Sequence, residues 1–308
     1  IKTIDYLKGL FNMFKLVAIP QEDGTIYIDS LVNYYSKGQV IDLSKYIDYS
    51  SFAVSSGSVF NEIKYKFQTP QTILNQQYKK NNGLGYGDLE HFIYDDNGLL
   101  IDGKKLDFKL PFEQIVYEKI IDLGGTESDT NIQYGLLLNE TLETVDVKPH
   151  IHYVVQRGSV IKLIDDGGVG RYTSIVNVPS HVSDFNTQSY STTFGSEFNE
   201  FDGVAISNTL FKNYHQSFIT NVFNSQKREY NYKAKNVPEY IIQSLSLNDV
   251  IEIKGKLHRI EEFTVNTINS DVDLKLFNVQ DIGLTTINYL SADRTFPSTD
   301  NTLISIDT

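Results

Sequence analysis

"SLNDVIEIKGKLHRIEEFTVN", residues 246–266, opens on the polar pair Asn248-Asp249 and runs through Val250-Ile251-Glu252-Ile253. It breaks at Lys254-Gly255-Lys256 and resumes from Leu257 to Val265. Two β-branched, alternating runs around a short Gly-bearing break are the pattern of a β-hairpin. With "KREYNYKAK" (227–235) before it and "VDLKLFNV" (272–279) after it, the hairpin belongs to a four-stranded meander. Its core is expected to hold Ile251, Ile253, Ile260 and Phe263. A helix beginning at Asn208 or Thr209 carries Leu210, Phe211, Tyr214, Phe218 and Val222 on one stripe. Leu210, Tyr214 and Phe218 are expected to pack against the meander as one helix-plus-barrel unit.

Working outward, Thr3 is placed to cap a helix with Ile4, Leu7, Leu10, Phe11 and Phe14 at amphipathic spacing, ending before Pro20. A turn at 21–24 and the strand from Thr25 follow. Residues 61–68 alternate as a strand with Ile63, Tyr65 and Phe67 on one side, and 71–88 reads as a mobile polar connection. "FIYDDNGLLI" (92–101) reads as strand, turn, strand. From 135 to 178 short apolar runs are divided by Pro149, Arg157-Gly158 and the 165–168 acid-glycine turn, and 179–208 reads as a long surface loop. The expected class is mainly β (α+β), several small barrel or sandwich domains with flanking amphipathic helices. The expected divisions are 1–57 (helix plus strand), 58–123 (β-rich with the mobile connection), 124–206 (sandwich or barrel with the long loop), 207–283 (helix plus tube-like barrel) and 284–308 (extension).

Composition supports sheet: 20 Tyr and 18 Phe accompany no Trp and one Met in 308 residues. Lys plus Arg is 27 against 39 acids, a net −12, so stable nucleic-acid binding is disfavoured without a basic patch. The densest basic stretch, 227–235, is interleaved at strand spacing and reads as a solvated sheet face. With no Cys, disulfides, thiol catalysis and thiolate metal sites are excluded. The apolar run 10–20 is interrupted by Asn12 and Lys15 and is too short for a membrane span, so membrane binding is not expected. Because residue 1 is Ile and the only Met is Met13, a leading segment is expected to precede it.

Candidate chemistry is sparse. His150 and His152 share one strand face and are the weak metal candidates, with His181 and Asp165-Asp166 as further ligands. The Gly-rich runs 83–88 and 167–170 lack the Lys-Ser/Thr of a phosphate loop and read as turns. Asp95-Asp96, Asp165-Asp166 and Glu261-Glu262 are sequence neighbours, which an extended chain sends to opposite faces, so none is a paired acid and nucleophile. Neither a nucleophile elbow nor a zinc helix is present. No catalytic residue and no cofactor is expected, and the chain does not read as an enzyme. His215 and His258 read as fold residues.

Two blocks carry a resemblance. The opening "IDYLKGLFNMFKLVAIPQEDGTIYIDSLVNYYSKGQVIDLSKYIDYS" (4–50) resembles tail proteins of tailed bacteriophages, in which a "FLKGLFxMFxL" helix precedes a strand and a "DWSxxLDxS"-like segment. The later run 210–279 is similar to their closing block, an "LFxNYxxxYI" helix leading into a last hairpin of the form "LNDxIxIxxxxYRIxxI". His258 departs from that pattern, standing where an aromatic is common. The resemblance implies a baseplate or tail-hub subunit of the virion, a homotrimer that matches the tail tube and contacts tube protein, spike, fibres or other baseplate proteins. DNA would pass through its lumen in transit only, and Asp249, Glu252, Glu261, Glu262, Asp271 and Asp273 are the candidate lumen carboxylates. Two other classes remain: a glycan-binding receptor module using aromatics of 179–208, and a cell-wall hydrolase, which needs two facing carboxylates.

Overall fold

The computed structural model describes residues 2–21, 23–95, 97–116, 118–119, 133–134, 137–164, 170–178, 181–185, 188–199, 204–206, 208–223, 227–278 and 289–290. The class is mainly β with helices, as the sequence implies, and the described strands close no barrel. The chain divides into two compact units, and both are discontinuous: Ile1–Val32 with Ser58–Gln226, and Asn33–Gly57 with Lys227–Thr308.

In the first unit the helix Thr3–Phe14 stops at Lys15, a left-handed residue (φ 49°) whose N–H donates to Phe11 O. The antiparallel pair Leu16–Pro20 and Ile26–Ser30 follows. Phe60–Gln68 is the centre of a three-stranded sheet, antiparallel to Leu89–Phe92 and parallel to Lys104–Glu113. Ile63, Tyr65 and Phe67 all face the core, the alternation read from sequence. The helix passes close over the Lys104–Glu113 strand because Gly9 has no side chain: a Cβ there would lie 2.6 Å from Pro111 Cγ and 2.8 Å from the Phe112 ring.

The supposed mobile connection holds a helix, Ile73–Asn82, and that expectation is corrected. Its polar composition concealed it, yet both ends are signalled. Thr72 Oγ1 accepts from Asn75 N–H (3.3 Å), and Gly83 closes the last turn at φ 77°. Buried Asn75 anchors it, donating to Gln114 O (2.8 Å) while its Oδ1 accepts from Val116 N–H (3.0 Å). Residues 179–208 are not one surface loop either. They include the pairs His181–Phe185 with Gln188–Ser191 and Glu197–Asn199 with Val204–Ile206, and Phe194 is buried. The expected sandwich or barrel of the middle third comprises, in its described residues, separate two-stranded pairs, the longest Tyr153–Ile164 with Gly170–Val178.

The second unit is one seven-stranded sheet in the order Tyr289–Leu290, Val40–Asp42, Val250–Ile253, Lys256–Asn266, Asp271–Asn278, Arg228–Ala234, Ala53–Ser56. The hairpin of the opening stretch is present, with Val250 opposite Arg259 and Ile253 opposite Lys256. Lys254 (φ 50°) and Gly255 (φ 73°) form its two-residue turn. Positive φ at both central positions gives the twist that two-residue hairpins require. Ile251, Ile253 and Ile260 are buried and Phe263 packs against them half-buried, beside Ile41, Leu43 and Ile47 from the early segment.

The helix expected on this sheet belongs elsewhere. Leu210, Tyr214 and Phe218 lie in the first unit's core with Met13, Tyr65, Phe112 and Phe194, so the proposed 207–283 domain is divided. The physical reason is composition. The helix's aromatic stripe meets other aromatics, whereas the sheet's core is mostly aliphatic and gains Val237 and Ile241, the latter on the short helix Glu239–Ser244 that the sequence reading missed. Asp96, Asp165-Asp166, 167–169, Val279 and all of 284–308 except 289–290 lie outside the described residues.

Candidate functional site

The polar motif that carries the resemblance fastens the early segment to the sheet. Asp249 is 4% exposed: Oδ1 accepts from Gln39 N–H (2.8 Å) and Oδ2 from Ser246 N–H (2.7 Å). Burial raises its pKa, the two amide bonds opposing. Asn248 donates to Tyr34 O (3.0 Å), Val250 N–H to Gln39 O (2.8 Å), and the Arg259 guanidinium lies 4.3 Å from the Tyr35 ring centroid. His258 occupies the aromatic position of the resembled pattern as an aromatic would. It is buried and edge-on to Tyr230 (5.0 Å) and Tyr232 (6.1 Å), and burial lowers its pKa, keeping it neutral.

The six candidate lumen carboxylates differ in their surroundings. Asp249 is an internal clamp. Glu252 is half-buried opposite Asp42 in the parallel register, and burial followed by the Asp42 charge raises its pKa. Glu261 is paired with Lys275 (3.1 Å) and Asp271 lies 3.8 Å from Lys233. Glu262 faces Lys275 and Asp273 faces Lys233 across strands. A bulge between Ile260 and Glu262 explains why Glu261 and Glu262 are both exposed rather than alternating.

The described sheet ends on an exposed strand. All four residues of Ala53–Ser56 are exposed, and Phe52 beside them is 50% exposed with its ring stacked on Tyr232 at 5.8 Å. Lys254 sits 3.7 Å above the exposed Tyr49 ring. An exposed edge strand offers a row of backbone groups to another chain.

In the first unit, His150 Nδ1 lies 2.8 Å from Glu113 O, so Nδ1 donates and Nε2 bears the lone pair. His152 is stacked with it at 6.3 Å. No group of three or more His, Cys, Asp or Glu suited to a metal occurs among the described residues. The side chain of His181 lies outside the described set. Asp88, which sequence reasoning left in a glycine turn, accepts from Phe67 N–H (2.8 Å), and burial raises its pKa to about 6. It borders a cleft with Tyr78, Tyr86, Thr193 and Ser196 that has room for roughly one water, too small for a sugar ring.

His215, read from sequence as a fold residue, is 1% exposed. It ends a π-helical turn, Phe211–His215, continuing into Gln216–Val222, and a π turn has no period that a residue pattern reveals. Among the described residues no helix is long and apolar enough to cross a membrane. No protein-family model matches the chain, and no curated protein matches it at a significant level.

Proposed function

We propose that the chain is a structural virion protein, a baseplate or tail-hub subunit that ends a phage tail tube, joins it to spike or fibres and lines the DNA passage. The observation carrying this reading is the meeting of the two segments on which the resemblance rests. Residues 4–50 and 210–279 are far apart in sequence, yet each core draws on both. In the first, His215 Nε2 lies 3.0 Å from Met13 O; in the second, Val40–Asp42 runs parallel beside Val250–Ile253. Two likenesses that fold into common cores act as one extended pattern. The residues of "LNDxIxI" then have a physical task, since Asn248 and Asp249 tie the segments together.

Function here resides in edges and symmetry rather than in a reactive side chain. Three copies, each presenting Ala53–Ser56 to a neighbour or to the tube protein, form the ring. The trimer carries 3 × −12 = −36, which disfavours lasting contact with duplex phosphates during transit. Mixed charges on the described sheet face leave that repulsion to the net charge. Val54→Lys tests the interface: Lys on an edge strand blocks further pairing while the side chain stays solvated. The variant is expected to fold as wild type and assemble weakly; unaltered assembly would remove this edge from the interface.

A further inference from the structure

His215 is 1% exposed, and its Nε2 lies 3.0 Å from Met13 O in the last turn of the helix Thr3–Phe14. A carbonyl only accepts, so Nε2 carries the proton and the lone pair is on Nδ1. Nδ1 is buried without a hydrogen-bond partner. The ring is enclosed by Tyr65 (4.7 Å, edge-on) and Phe194 (5.5 Å). The charged neighbour is Lys15, the residue capping the same helix, whose ammonium rests on the Phe218 ring at 4.0 Å and lies 5.7 Å from Phe108. The titratable groups facing His215 from packed elements are thus Lys15 and Tyr65, neither an anion at neutral pH. A proton added at Nδ1 meets no acceptor, and it stands near an existing cation.

We propose that His215 is an acid-sensitive latch: protonation of Nδ1 releases the N-terminal helix-and-hairpin arm, residues 3–30, while the Phe60–Gln68 and Lys104–Glu113 strands remain folded. The arm is the element that moves because it supplies both the carbonyl held by His215 and the neighbouring Lys15. Its hairpin residues Ile26 and Ile28 are already exposed and tie it down little. Burial, outweighing the upward pull of the Met13 carbonyl and aided by the Lys15 charge, lowers the His215 pKa from 6.5 to about 4. The open arm therefore binds more protons between those values, and the closed arm loses stability as pH falls through that window.

Hydrogen exchange by mass spectrometry on the full chain, corrected for intrinsic rates, tests the latch. From the two pKa values, opening of peptides covering 3–16 is expected to rise about 60-fold between pH 7 and pH 4.5. Peptides from 60–68 and 104–113 are expected to keep their protection. His215→Gln, which retains a donor for Met13 O but does not titrate in this range, is expected to abolish the response. Lys15→Gln, which removes a charge that lowers the closed-state pKa, is expected to make the response smaller. Unchanged protection of 3–16 at pH 4.5, simultaneous loss in the strands, or the same response in His215→Gln would overturn the latch. Should His215→Gln fail to fold, an acid response identical in Lys15→Gln and wild type would overturn it equally.

Discussion

Gly38→Ala strikes the junction between the early and late segments of the second unit. A Cβ at residue 38 would lie 1.9 Å from Asn248 O, 2.6 Å from Asn248 C and 3.1 Å from Asp249 N, all of them backbone atoms. Ordinary contact begins near 3.4 Å, so one backbone must retreat by about 1.5 Å. That retreat breaks the bonds from Val250 N–H to Gln39 O and from Gln39 N–H to Asp249 Oδ1, both 2.8 Å. Leaving two buried partners unsatisfied at about 1–3 kcal/mol each costs roughly 2–6 kcal/mol. With about 2 kcal/mol/M for urea, the unfolding midpoint of the sheet falls by roughly 1–3 M. Exchange protection of 250–278 across a urea series reads this unit separately from the other. Gln39→Ala, next door and exposed, is the control and is expected within about 0.5 kcal/mol of wild type. If Gly38→Ala unfolds with its control, the two segments do not share a sheet as described.

Phe218→Ala is expected to cost about 2–4 kcal/mol in the first unit, through lost packing and the lost ring under Lys15, while protection of Val250–Ile253 and Lys256–Asn266 stays unchanged. Loss of protection in those strands would place the helix on the sheet instead. Ile251→Ala is expected to do the reverse, costing about 2–5 kcal/mol in the sheet alone, and thermal melts with local exchange distinguish the pair. Asp88 and His215 act oppositely on the first unit. With its pKa raised from 3.8 to about 6, Asp88 makes the unit less stable as pH rises through that window, whereas His215 makes it less stable as pH falls from 6.5 toward about 4. Asp88→Asn is accordingly expected to steepen the loss of stability in acid by about 2 kcal/mol, and urea titrations from pH 7 to pH 4 showing no steepening would contradict it. Thr72→Ala is expected to cost about 1 kcal/mol through the lost cap of Ile73–Asn82, measured as faster exchange in that helix.

Local periodicity made much of the second sheet legible. The Lys254-Gly255 turn and the hydrophobic run 250–253 encode their own conformation. Partner choice was not encoded locally. Whether Phe218 meets Ile260 or Phe14 depends on which surfaces coexist once the chain closes, and nothing in the helix's own spacing distinguishes them. Helix Ile73–Asn82 was hidden because its anchor is a buried Asn with hydrogen bonds rather than an apolar stripe, although Thr72 and Gly83 mark its ends. Asp249 was read as a candidate lumen carboxylate because sequence shows a carboxylate but not the two amides that bind it. Glu261 escaped alternation through a bulge.

The central claim is that this chain works by assembly, and its mass in solution tests that most directly. Mass photometry, alone and with tail-tube protein, is expected to find a species of 3 × 35.0 = 105 kDa, reduced by Val54→Lys. A 35.0 kDa monomer at every concentration, with the tube protein present as well as absent, would contradict it.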